Sequence, residues 1–144
     1  MNSWSEGALA VIVVVGLGIG LFLFTGQELG DGAGSSDTTQ PITVDREAAA
    51  RGEVLAEGQA CLRCHTTDGT TGTSGPTWKG LAGSTRPLES GEEVVADEAY
   101  LFSSIVDPHS QVVEGYEAIM PTFYPDQLDE QQITDLVEYI KSLG

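Results

Sequence analysis

The chain has 144 residues, two cysteines, and a formal net charge of −16 from 22 acidic and 6 basic side chains. That length holds one domain of about 100 residues plus extras. So few cations exclude nucleic acid as a partner, since phosphate binding needs clustered Lys and Arg; the charge suits a basic protein partner or a saline environment.

With 18 glycines and only 7% aromatics, the folded part should be loop-rich with a modest core. A domain of that kind often leans on a metal or cofactor. Gly7 to Phe24, "GALAVIVVVGLGIGLFLF", runs without a charge. It is about long enough to cross a ~30 Å hydrocarbon core. The preceding "MNSWSE" lacks Lys and Arg, and no small-x-small cleavage site follows closely, so a retained anchor over residues 1–25 is expected rather than a cleaved signal. Trp4 suits a membrane interface. Gly16, Gly18 and Gly20 would let a second helix approach, although glycine is also simply common in membrane helices. Residues 26–44 are rich in Gly, Ser, Thr and Asp without apolar period, and read as a flexible linker spanning about 25 Å.

The remaining domain, 45–144, reads as all-α. Asp45 can cap a helix reaching about Glu57 and ended by Gly58. Thr66 to Val95 reads as irregular loops. A second helix is expected from Asp97 to Val106, stopped by Pro108, and Asp107 to Asp126 is again irregular. The last helix is the clearest: Asp129 and Gln132 suit a capping box, and Ile133, Leu136, Val137 and Ile140 repeat with helical period. No strand pattern appears.

Between the first helix and the loops lies "CLRCH", Cys61 to His65. A Cys-x-x-Cys pair can be a thioredoxin-type switch, half a zinc site, or a c-type haem attachment. The first needs a βαβ scaffold, which is not visible. The second needs four ligands, and only His109 or a carboxylate could complete the set. Haem attachment uses every residue: Cys61 and Cys64 bond the vinyl groups and His65 ligates the iron. For the opposite axial position the candidates are Met120, in "AIMPTFYP", and His109. Met120 on a loop stiffened by Pro121 is poorly explained as packing and well explained as a ligand. His109, just past a helix end, reads as an exposed loop residue. A proximal imidazole donates its second N–H to a carbonyl, and Pro76 in "GPTWKG" is the expected source. Trp78 in that loop is either a donor to a haem propionate or a plain core aromatic.

These stretches, with "ADEAYLFSSIVDPHSQVV", "IMP" and "DLVEYIKSL", resemble class I cytochromes c over about Asp45 to Gly144. The likeness is greatest to the cytochrome c domain fused to subunit II of caa3-type oxidases. The resemblance implies one covalent haem c on Cys61 and Cys64, iron ligation by His65 and Met120, and packing of the first helix near Gly52 against the last near Tyr139. Subunit II also carries a copper-A site with two further cysteines, which this chain lacks. It therefore looks like a membrane-anchored monohaem cytochrome c.

Electron transfer is the expected function, because two axial ligands leave the iron no open site. A haem peroxidase or a gas sensor would need one. Haem attachment outside the bacterial cytoplasmic membrane implies an N-terminus inside and a haem domain outside. The expected partners are the bilayer, subunits of a respiratory membrane complex, and a redox protein with a basic docking face; a free-standing tethered shuttle is the alternative.

Overall fold

The computed structural model describes residues 41–71 and 74–144. Helix α1 (Arg46–Gly58) is followed by a single 3-10 turn (Cys61–Arg63), a hairpin of β1 (Thr85–Pro87) and β2 (Glu93–Val95), α2 (Glu98–Val106), the one-turn α3 (Tyr124–Gln127) and α4 (Glu130–Ser142). The three long helices all start on an aspartate. Asp45 accepts from the Glu47 and Ala48 amides, and Asp97 from that of Tyr100. Asp129 and Gln132 form a reciprocal capping box. Each cap satisfies amides that the helix leaves without a partner.

The architecture rests on the crossing of α1 and α4. Helix α1 buries only small residues there, Ala48, Ala49, Gly52 and Ala56. Helix α4 buries larger ones, including Ile133, Leu136, Val137 and Ile140. A Cβ on Gly52 would collide with the Asp135 carbonyl and lie 2.8 Å from the Tyr139 Cβ, so the backbones touch where glycine permits it. This is the Gly52–Tyr139 packing that the resemblance implies.

Charged groups close both sides of the crossing. The Arg51 guanidinium donates two bonds of 2.8 Å to the buried Asp135 carboxylate, which also accepts from Gln131. Glu138, also buried, accepts the Asp45 amide at 2.8 Å and pairs with Lys141, whose ammonium reaches on to Glu98 of α2. One network thus ties the entry of α1 to α4 and α2.

Two expectations need correction. The domain is mostly helical rather than all-α: β1 and β2 pair antiparallel, Thr85 against Val95 and Pro87 against Glu93, within the stretch read as irregular. A further antiparallel bridge joins Leu88 to Val113. Helix α3 likewise falls inside the stretch 107–126. The expected transmembrane helix and most of the expected linker lie outside the described residues. Among the described residues no helix is long and apolar enough to cross a membrane.

Candidate functional site

The end of α1 delivers the CLRCH stretch into a cleft. Ala60 adopts a left-handed conformation, φ 59°, which breaks the helix direction and starts the 3-10 turn. The Cys64 and His65 amides both donate to the Cys61 carbonyl, at 3.1 and 3.0 Å. That turn sets both thiols and the imidazole on one cleft wall. Cys64 is exposed and Cys61 half-buried. Burial pushes the Cys61 thiol up, and it pushes the Tyr124 hydroxyl beside it up to about 12, with the Cys61 charge adding to the latter.

His65 is held on two sides by the loop from Gly75 to Trp78. Its Nδ1 lies 2.8 Å from the Pro76 carbonyl. A carbonyl only accepts, so Nδ1 carries the hydrogen and Nε2 presents a lone pair. Burial lowers the imidazole pKa, against the opposing effect of the Pro76 bond, which favours the neutral ring that a metal requires. A Cβ on Gly75 would lie 2.7 Å from the His65 ring, so glycine is needed for this approach. The Trp78 indole stacks on the imidazole with centroids 5.0 Å apart. The loop is pinned in turn, since the Trp78 amide and the Thr77 hydroxyl both donate to the Thr66 carbonyl.

The cleft has a volume of about 330 Å³ and is lined by Cys61, Cys64, His65, Pro76, Trp78 and Met120 among others. This is within the ~300–1,000 Å³ of cofactor sites. Its floor is apolar, with Leu101, Ile105, Leu136 and Ile140 from α2 and α4. All six residues singled out in the sequence therefore meet in one place. His109 is not among the lining residues; its Nε2 lies 3.0 Å from the Met120 carbonyl. Sequence reasoning missed that link, and it missed Gly75 and Tyr124.

The donor set suits a covalently held haem. Two neighbouring thiols are available for thioether bonds. The imidazole has one nitrogen committed to a carbonyl and the other open, and a thioether stands on a separate loop in the same apolar cleft. Among the described residues no group of three His, Cys, Asp or Glu side chains could hold a bare metal ion.

The family model described as Cytochrome c covers residues 49–144 of the chain. No curated protein matches it.

Proposed function

The chain belongs to the cytochrome c family and is an electron carrier on covalent haem c; from that premise we propose that it serves as a membrane-anchored subunit of a respiratory complex, passing single electrons toward a terminal oxidase. Haem c supplies a one-electron couple at its iron. In this reading Cys61 and Cys64 would hold the group by thioether bonds, and His65 and Met120 would ligate the iron. With His65 and Met120 both bound to it, the iron would have no site left for substrate, which disfavours peroxidase or gas-sensor chemistry. A histidine–methionine pair raises the potential and suits a late position in an electron chain.

The observation that carries the reading is the His65–Pro76 bond at 2.8 Å, in a cleft lined by both thiols and Met120. The Pro76 carbonyl fixes the ring's tautomer and orientation, as the outer partners of metal-bound histidines do. Trp78, Leu101 and Ile140 give the cleft an apolar wall.

The membrane placement rests on the sequence. The uncharged run Gly7–Phe24 would act as a single-pass anchor, with the N-terminus inside and the haem domain on the periplasmic or extracellular face. Gly16, Gly18 and Gly20 would allow contact with neighbouring membrane helices. The likeness to the caa3 subunit II domain, without the copper-A cysteines, supports a place close to a terminal oxidase, and the acidic surface supports a partner with a basic docking face. Purification in mild detergent from the native membrane tests this. The expected result is a low-spin haem c protein that comes with other redox subunits. A lone monomer that turns over with soluble donors and acceptors would make it a tethered shuttle instead.

A further inference from the structure

The backbone of the loop that carries Met120 makes few hydrogen bonds. Glu117, Ala118, Ile119, Pro121 and Thr122 are exposed, and only Met120 itself is half-buried. Ile119, Met120 and Pro121 face the cleft, and the Met120 side chain packs against the core, so apolar contacts act on the side chains while the backbone depends on its polar ties. Pro121 has no N–H to donate, and the one bond within the loop runs from the Ile119 amide to the Glu117 carbonyl. Among the described residues, a single hydrogen bond ties the backbone of 117–121 to another part of the chain: His109 Nε2 to the Met120 carbonyl, 3.0 Å.

His109 is itself well anchored. The Asp107 amide closes α2 on the Ser103 carbonyl, and the Asp107 carbonyl accepts both the amide and the hydroxyl of Ser110. Pro108 fixes the backbone directly before the histidine. The imidazole therefore stands on a stiff turn and reaches out to a loose loop. Because the Met120 oxygen can only accept, Nε2 is the donor. Holding that carbonyl holds the Met120 Cα two bonds away, and so limits the positions open to the sulfur.

We propose that His109 is a positioning residue for Met120, whose N–H pre-orders the methionine loop so that the thioether keeps its place against competing ligands. This rests on the reading that Met120 ligates the iron. The thioether is a weak neutral ligand on a loop with one backbone hydrogen bond to the rest of the described chain, and pre-ordering that loop removes an entropic cost from each ligation event.

The test uses the full-length, haem-loaded protein in detergent and four variants: His109→Ala, His109→Phe, His109→Gln and His109→Asn. Three quantities are read: the near-infrared sulfur-to-iron band of the oxidised protein, the affinity for added imidazole in competition with Met120, and the temperature at which helical circular dichroism is lost. Alanine and phenylalanine should raise imidazole affinity about fivefold, the worth of one hydrogen bond. They should also lower the temperature at which the band fades while leaving helix melting in place. Glutamine or asparagine, which keep an N–H donor, should restore most of both. If alanine prevents maturation, phenylalanine carries the comparison. The proposal is overturned by imidazole affinity within about twofold of the parent, by amide variants that match alanine, or by a band and a helix melt that fall together. A parent protein without the band would refute Met120 as the ligand before any His109 variant is made, and so separates the two failures.

Discussion

Trp78 stacks on His65, with ring centroids 5.0 Å apart and planes 23° from parallel, and meets Tyr139 of α4 edge-on at 6.0 Å. It is only 5% exposed. The indole therefore couples the imidazole to the last helix. Trp78→Ala should cost about 3–5 kcal/mol of stability in denaturant unfolding, and Trp78→Phe, which keeps a stacked ring, less than half of that. Equal losses would point to the indole N–H rather than the ring.

Met120→Ala should leave the haem attached, because thioether bonds at Cys61 and Cys64 do not depend on it. The sulfur-to-iron band should vanish and the potential should fall in redox titration. An unchanged spectrum would remove Met120 from the iron.

Gly52→Ala places a methyl against the Asp135 backbone, which cannot move without parting α1 from α4. A destabilisation of about 3 kcal/mol is expected from such overpacking, read as a lower denaturation midpoint. Gly58→Ala is the control, since nothing lies within 4 Å of a Cβ there.

The hydrogen bonds from Arg51 hold the Asp135 carboxyl below its usual range, against the opposing effect of burial. A depressed carboxylate stabilises the fold above its unfolded value, near ~3.9, and loses that contribution as pH falls through the lower folded value. Asp135→Asn should therefore cost about 1–2 kcal/mol at pH 7 and flatten the acid limb below about pH 4. An acid limb identical to the parent's would assign acid sensitivity to other carboxylates.

Residues 25–144 carry 21 acidic and 6 basic side chains, a balance of −15 before any propionate is counted. The rate of reaction with a basic redox partner should fall steeply as ionic strength rises. Stopped-flow rates that do not respond to salt would assign the acidic surface to solubility or salt adaptation.

The parts legible in the sequence were those with a strong local rule. The aspartates at 45, 97 and 129 announce helix starts, and Ile133 to Ile140 repeat with helical period. Met120 stands out because its loop setting makes packing an inadequate explanation. The hairpin was not legible because each strand has three residues and alternates around a single half-buried one, and β1 includes Pro87. Helix α3 is a single turn, too short for a period to register. The His109–Met120 bond joins two loops across eleven positions, and no periodicity reports such a contact.

The crossing of α1 with α4 joins Arg51 to a residue 84 positions later and Asp45 to one 93 later. A chain made from its N-terminus presents Cys61 and Cys64 long before Asp135 and Glu138 follow. Until the thirteen residues of α4 arrive, α1 has no surface on which to bury its alanines, and the domain cannot close. The order of synthesis thus leaves an interval in which both thiols are open to the machinery that attaches haem. A product truncated before Glu130 would remain in that open state, exposed to proteolysis.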